Sequence, residues 1–393
     1  MSDSKSLILL VDDSRLSIEI LKDILLKHYR LLIAENGLEA LKLACGDPRP
    51  DLILMDVVMP GIDGFETCRR LKTMPECCDI PVIFLTSQTT GENIIQGFDA
   101  GAVDYIPKPF NIPELLVRVR NHLTLKFARD QNERLMEKVE TINSKLTAGI
   151  RYARKIQSAS LPDAALMKSL LPPHFVFLQP KEIVSGDFYW VGEVEDNVVV
   201  VVADSTGHGV PGAFMSMFGM AQINQIVAVQ KICTPSVILD TLRKEVIKAF
   251  KQTEASEIKD GMDISVISLN RESRTIQFAG AFNPLYMVRG GVLEAIPADS
   301  MPISIGLRYK SYTNHVLEYQ TGDCFYMASD GYASQFGGPN DKKIKTSGLK
   351  KLMVEYAPLP MDAQKKAFTS FFENWKGNGE QTDDVLLLGL RME

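Results

Sequence analysis

Acidic residues in the C-terminal half of this chain gather at a few turns. They fall in Ser185-Gly186-Asp187, Ala203-Asp204-Ser205, Ser329-Asp330-Gly331 and Thr382-Asp383-Asp384, each at the edge of an apolar run. If those edges meet, several carboxylates share one site with almost no basic residue. Buried like charges are very costly unless something neutralises them. Two divalent hard cations, bound by carboxylates, a backbone carbonyl and waters, resolve the conflict. Two such ions about 3.5–4 Å apart can activate a bridging water and orient a phosphoryl group for in-line attack. The chemistry this predicts is hydrolysis of a phosphomonoester without a serine or cysteine nucleophile. The stretch ADSTGHGVPGAFMSMF, Ala203 to Phe218, stands at its centre. It follows the apolar run Val198 to Val202 and precedes helical spacing, which puts Asp204 at a strand end beside a helix N-terminus. The Gly207-His208-Gly209 turn lets backbone come close to a bound group.

A second set of reactive residues lies in the N-terminal third. LILLV (Leu7 to Val11), RLLIA (Arg30 to Ala34), LILM (Leu52 to Met55), VIFL (Val82 to Leu85) and DYI (Asp104 to Ile106) read as strands separated by helical spacings. That alternation predicts an α/β domain, a five-stranded, doubly wound parallel sheet, with its ligand site at the strands' carboxyl ends. Those ends carry Asp12-Asp13, Asp56, Thr86-Ser87 and Lys108-Pro109. Three converging carboxylates call for a cation, and an all-oxygen set suits Mg²⁺. A lysine and a hydroxyl beside it complete a site for a phosphoryl group.

Residues 1–127 resemble the receiver domain of two-component response regulators, through LLVDDS, LMDVVMPGIDGFE, FLTS and YIPKPF. The resemblance implies that Asp56 accepts a phosphoryl group from a histidine kinase, with Mg²⁺ held by Asp12, Asp13 and Asp56. It also implies that Lys108 pairs with the phosphoryl oxygens, that Thr86 and Tyr105 relay the change, and that the peptide before Pro109 is cis.

The helical pattern continues past the receiver, with no proline between Pro113 and Pro162. Leu135, Val139, Ile142, Leu146, Gly149, Ala153 and Ile156 recur at alternating spacings of four and three, a heptad seam. Residues 128–171 are therefore expected to form a helical linker, either a parallel coiled-coil homodimer or one solvated helix. Gly149 weakens the helix and marks a candidate hinge. From 172 to 393 the chain changes to short strands with helices at Val210 to Val229, Pro235 to Lys251 and Met361 to Trp375. This predicts an α+β domain, a two-sheet αββα sandwich.

The order of the acidic turns, with IRYARKIQSASLP and PKEIVSGDFYW before them, is similar to the metal-dependent protein phosphatases (protein phosphatase 2C-like), in their bacterial SpoIIE-type branch. This implies two Mn²⁺ or Mg²⁺ ions, with Asp204 touching both. Asp330 and Asp383 would complete one ion, and Asp187 with the Ser205 carbonyl the other. Asp384 would orient its neighbour. A phosphoserine or phosphothreonine protein is the implied substrate, such as a small anti-sigma-factor antagonist. His208 stands further from Asp204 than in the eukaryotic branch, so acid catalysis and capping of the next helix remain alternatives. Lys181 is the candidate for the missing phosphate-gripping arginine. Met215, Met217 and Met220 read as core, and the Gly337 to Lys343 segment as an exposed flap.

Composition narrows the function classes. A net charge of −6 over 393 residues, without a basic stripe, argues against nucleic acid. The six cysteines lack metal-ligand spacing and read as reduced thiols. The N-terminus is unlike a signal peptide, and no apolar run approaches the ~20 residues of a membrane span, so a cytoplasmic protein is expected. The competing reading is a receiver-controlled protein-binding scaffold with a non-catalytic phosphatase-like domain, which need not bind two divalent ions.

Overall fold

The computed structural model describes residues 5–87, 91–253, 260–306 and 310–393, so the first four residues of the N-terminal run lie outside it. The chain divides into two compact units, Met1–Asn143 and Ser144–Glu393.

The N-terminal unit alternates β1 (Leu7–Val11), α1 (Arg15–Leu25), β2 (Arg30–Ala34), α2 (Gly37–Ala44), β3 (Leu52–Asp56), α3 (Gly64–Thr73), β4 (Val82–Thr86), α4 (Gly91–Asp99) and β5 (Asp104–Pro107). The strands form a parallel sheet in the order β2-β1-β3-β4-β5, with apolar clusters on both faces. Burial on both faces explains why β1, β3 and β4 are apolar without alternation. Ser14 caps α1 and Asp63 caps α3, each side chain accepting from a backbone N–H three residues on.

Helix α5 runs from Ile112 to Ser160 without a break at Gly149. The seam residues Leu135, Val139, Ile142 and Leu146 are exposed along it. Cys45 and Cys77 form a disulfide, which corrects the reading of all six cysteines as free thiols. Folding brings their Cα atoms to 5.6 Å across a sequence separation of 32, a proximity that no cysteine spacing announces.

The C-terminal unit continues with α6 (Ala164–Leu170), β6 (His174–Gln179), β7 (Phe188–Val194), β8 (Asn197–Ser205), α7 (Gly209–Asn224), α8 (Pro235–Ala249), β9 (Met262–Asn270), β10 (Thr275–Ala281) and β11 (Leu285–Arg289). After these come β12 (Val292–Ile296), β13 (His315–Glu318), β14 (Cys324–Ala328), α9 (Gly331–Ser334), β15 (Phe336–Gly337), β16 (Lys342–Lys343), α10 (Lys345–Tyr356), α11 (Met361–Lys376) and β17 (Val385–Arg391). Two antiparallel sheets result, ordered β13-β10-β9-β8-β7 and β12-β11-β14-β17-β6.

Strand β8 shows how the layers are built. Val198, Val200 and Val202 pack between the sheets with Ile267, Phe325 and Leu388. Val199, Val201 and Ala203 face α7 and α8. The other sheet buries Phe177, Tyr326 and Leu387 against α10 and α11. Helix α7 ends in a π-helical turn, Gln225–Val229. The stretch Gly209–Val229 is long and apolar enough to cross a membrane, and half of it is buried in this core. Met215 and Met220 are buried there, with Met217 packed at the edge. Elements α6, β12 and α10 are additions to the sequence reading, and the flap is the β15–β16 hairpin.

Candidate functional site

In the N-terminal unit, the sheet delivers its reactive residues to one edge. Asp12 follows β1, Asp56 ends β3, Thr86 ends β4, and Lys108 follows β5. Among the described residues, Asp12, Asp13 and Asp56 are the acids that each place a carboxylate oxygen within 4.8 Å of the others. Lys108 Nζ lies 2.8 Å from Asp12 Oδ2 and 2.7 Å from Asp56 Oδ2. Burial raises the Asp56 carboxyl above its ordinary range, and the bond from Lys108 holds part of that rise back. For Lys108, burial pulls downward, but its bonds to Asp12 and Asp56 outweigh it and raise the ammonium. The Lys108–Pro109 peptide is cis. Thr86 is buried, and it lines a small cavity with Tyr105, whose ring meets Phe98 edge-on at 6.4 Å.

In the C-terminal unit, strand alternation decides which acids meet. Every second residue of β8 from Val198 faces the space between the sheets, and Asp204 is next in that series. Strand β9 pairs antiparallel with β8 in a register that sets Asp263 opposite Asp204. The turn before β7 adds Asp187, the end of β14 adds Asp330, and the approach to β17 adds Asp383 and Asp384. These acids interact, yet among the described residues no three close up as tightly as the N-terminal set.

Burial drives the Asp187 carboxyl well above its usual range, and Asp204 pushes it further. Asp204 is pushed up to about 7 by burial and by Asp330, Asp383 and Asp263, while the Asp330 backbone N–H pulls the other way. Asp263 rises to about 6 through burial and Asp330. Asp330 rises for the same reason, burial first and Asp383 second. The sequence reading missed Asp263. It lies inside an apolar strand, and only the pairing register reveals its neighbour.

Asp384 is tied by main-chain donors. Lys181 N–H reaches its Oδ1 at 2.7 Å and Gly186 N–H its Oδ2 at 2.7 Å. Its own N–H bonds Asp383 Oδ1 at 2.9 Å, which fixes the orientation of that acid. Ser329 Oγ donates to Asp187 Oδ2 at 2.6 Å and accepts from the Leu386 N–H at 2.9 Å, linking β17 to Asp187. Two glycines permit the convergence. A Cβ on Gly186 would stand 2.6 Å from the Gly207 carbonyl and 3.2 Å from that of Ser205, and one on Gly331 would overlap the Asp384 carbonyl. Ser205 Oγ is buried without a partner beside this cradle.

His208 stands at the N-cap of α7, but its side chain does not cap the helix. Its Nδ1 lies 2.7 Å from Glu182 Oε1, and its Nε2 lies 3.1 Å from Lys181 Nζ. The capping alternative is thereby replaced by a Glu182–His208–Lys181 chain at the rim.

Gln157, on the last turns of α5, is a second residue the sequence did not announce. It is buried, and its Nε2 donates to the Ser185 carbonyl at 2.6 Å and Ser216 Oγ at 2.8 Å. Its Oε1 accepts from the Ser185 N–H at 3.1 Å. One side chain thus stitches α5 to the turn carrying Asp187 and to α7. Gln157→Leu should leave the buried Ser185 N–H unmet at about 1–3 kcal/mol, while the Ser185 carbonyl and Ser216 Oγ keep their bond to each other. The expected result is a lower denaturation midpoint, and an unchanged one would show that water replaces the amide.

Comparison with known proteins agrees with both halves. The profile of the response regulator receiver domain matches residues 8–120. That of Stage II sporulation protein E (SpoIIE) matches residues 194–393, more than half of the chain. Response regulator MprA of Mycobacterium bovis is 34% identical over 166 residues, covering 42% of this chain and 71% of that protein. A probable cyclic di-GMP phosphodiesterase of Vibrio cholerae is 42% identical over 127 residues, and the match spans 32% of this chain but only 29% of that relative's length. Among solved structures, the SiaA-PP2C domain of Pseudomonas aeruginosa superposes with a TM-score of 0.59 at 28% identity, covering 64% of this chain and 99% of that one. The chain is a response regulator with an N-terminal receiver and a C-terminal protein phosphatase 2C-like domain, and it belongs to the SpoIIE family.

Proposed function

We propose that this regulator acts by metal-dependent hydrolysis of phosphoserine or phosphothreonine on a partner protein, controlled by phosphorylation of Asp56. The observation that carries the proposal is the convergence of Asp187, Asp204, Asp330 and Asp383 at one end of the sandwich, where burial disfavours the charge of Asp187, Asp204 and Asp330. Oxygen-only donors of this kind fit Mn²⁺ or Mg²⁺, and the orphaned Ser205 Oγ marks polar capacity left over in the cradle. Asp204 would serve both ions, Asp330 and Asp383 would hold one, and Asp187 with the Ser205 carbonyl would hold the other. The ions supply charge neutralisation and a water acidic enough to attack near neutral pH. The chain's own groups do the positioning. Asp384 holds Asp383 and the Gly186 turn, and His208, fixed by Glu182, presents the Lys181 ammonium to phosphoryl oxygens.

On the receiver, Asp12, Asp13 and Asp56 suit Mg²⁺, and Lys108 is placed to pair with a phosphoryl group that a histidine kinase delivers to Asp56. Thr86 and Tyr105 flank the cavity through which the change is relayed. The exposed seam of α5 supports a homodimer through the linker, and Gln157 gives movement of α5 a route to Asp187. A cytoplasmic phosphoserine anti-sigma-factor antagonist is the substrate this reading favours, without nucleic acid or membrane.

The test compares phosphate release by wild type and Asp56→Ala from a phosphoprotein with Mn²⁺, with and without a small phosphodonor. A rate change of about tenfold or more, confined to wild type, is expected for a coupling of the usual 1–3 kcal/mol. Equal rates would remove the receiver from control.

A further inference from the structure

We infer that the cleft beside Asp330 receives the acidic segment flanking the phosphorylated residue of the substrate protein. The inference rests on the phosphatase reading and narrows its substrate class.

The cleft has a volume of about 630 Å³ and opens between the β10–β11 turn, the end of β14 and the start of α10. One wall carries Lys343, Lys345 and Lys350, a local concentration of positive charge on a chain whose net charge is −6. Lys350 Nζ rests 5.4 Å from the centre of the Tyr286 ring, and Lys343 Nζ 5.3 Å from that of Phe336. Rings orient these two ammonium groups without neutralising them, so they stay available to carboxylates.

The floor is Asn283. It is 8% exposed, and its side-chain Nδ2 has no partner, while its main-chain carbonyl is already bonded by Ser265 Oγ at 2.8 Å. A buried amide donor left unmet is unfavourable, and such groups call for an explanation. A turn of that side chain toward the cleft would let a guest's peptide carbonyl satisfy it. Beside it, Phe282 holds φ at +59°, a region that an aromatic residue rarely occupies, and its ring is about half exposed at the rim. Backbone strain of this kind persists where the surrounding structure fixes it and often marks a ligand clamp.

Charge sets the direction of the guest. The inner end is formed by Asp263 and Asp330, which repel carboxylates and belong beside the cations. The outer wall is lysine. A bound segment therefore places its phosphorylated residue toward Asp330, its backbone across Asn283 and its acidic side chains along the lysines. Basic flanks meet like charge there.

The test uses the full chain with Mn²⁺ at low ionic strength and three probes. These are a phosphoserine peptide with glutamate flanks, the same peptide with lysine flanks, and p-nitrophenyl phosphate. The expected kcat/KM for the glutamate-flanked peptide exceeds that for the lysine-flanked one by about tenfold, since two or three partly exposed pairs change sign. Lys345→Glu combined with Lys350→Glu should reverse that preference. The ratio of peptide to p-nitrophenyl phosphate turnover separates this from a folding defect, which lowers all three rates together. If the double variant does not fold, the wild-type ratio between the peptides decides alone. A wild-type ratio near one, or a ratio unmoved by a folded double variant, overturns the cleft assignment while p-nitrophenyl phosphate hydrolysis still upholds the phosphatase. Loss of hydrolysis of all three probes by wild type overturns the phosphatase reading, and the cleft with it.

Discussion

Asp204→Asn is expected to lower phosphate release from a phosphoserine peptide in Mn²⁺ by at least about a thousandfold, a loss of roughly 4 kcal/mol of transition-state stabilisation. The substitution keeps the shape of the side chain and removes one negative charge. Asp204 is the acid whose surroundings join the others, because Asp330, Asp383 and Asp263 all act on it and it acts on Asp187. On the two-metal reading, removing its charge weakens both cation sites at once. Calorimetric titration with Mn²⁺ should show the same loss in binding, which separates a failed site from a misplaced substrate. A variant retaining activity within tenfold of wild type would end the two-metal reading.

The metal-free protein should behave in an unusual way with pH. Asp204 titrates near about 7 and Asp263 near about 6 in the folded chain, both through burial and neighbouring acids. An unfolded aspartate titrates near about 3.9. The folded state thus holds more protons between about pH 4 and pH 7, and stability must fall as pH rises through that window. The contribution is complete below about pH 4 and gone above about pH 7. Its size is on the order of a few kcal/mol, taken mainly from the better buried Asp204. Acid-labile pairs elsewhere, such as Lys310–Asp299, oppose the trend. The clean measurement is therefore the difference in melting temperature between wild type and Asp204→Asn without metal. That difference should widen in favour of the asparagine variant by several degrees from pH 4 to pH 7. Saturating Mn²⁺ should reverse its sign, because wild type alone gains a tightly bound ligand. A difference independent of pH would show that Asp204 is solvated and charged throughout.

The two halves of the chain were legible to different depths. In the receiver, each reactive residue sits directly at the end of an apolar run, so strand order and strand ends were enough to bring Asp12, Asp56, Thr86 and Lys108 to one edge. The C-terminal acids lie on strands from two sheets. Their turns could be read, but the partner of each could not, because antiparallel register is a property of the pairing. Asp263 is the result. In MDISVISLN it reads as the polar face of a strand, yet it stands opposite Asp204. Gln157 was hidden for another reason. It occurs on a helix rich in polar residues, and nothing local distinguishes the one that turns inward. Helix α10 was missed because its hydrophobic spacing is irregular, and Leu349, Leu352 and Met353 are buried mainly by contact with the sheet. The cleft that α10 helps to wall was invisible with it.

The position of β17 has a consequence for how this protein comes into being. Strand β17 is an inner strand, paired with β14 on one side and the edge strand β6 on the other, and Asp383 and Asp384 immediately precede it. The strand it separates from β14 is made more than two hundred residues earlier in synthesis. At roughly 5–20 residues per second, a ribosome needs on the order of ten seconds or more to cover that distance. Throughout that time β6 lacks its partner strand, β14 itself being made only near the end of it, and the acid pair at the entrance of β17 does not yet exist. All five strands of the receiver are complete by Pro107, so that unit can fold while the C-terminal half is still unfinished. A nascent chain therefore carries a finished receiver before the acids of its other half can meet.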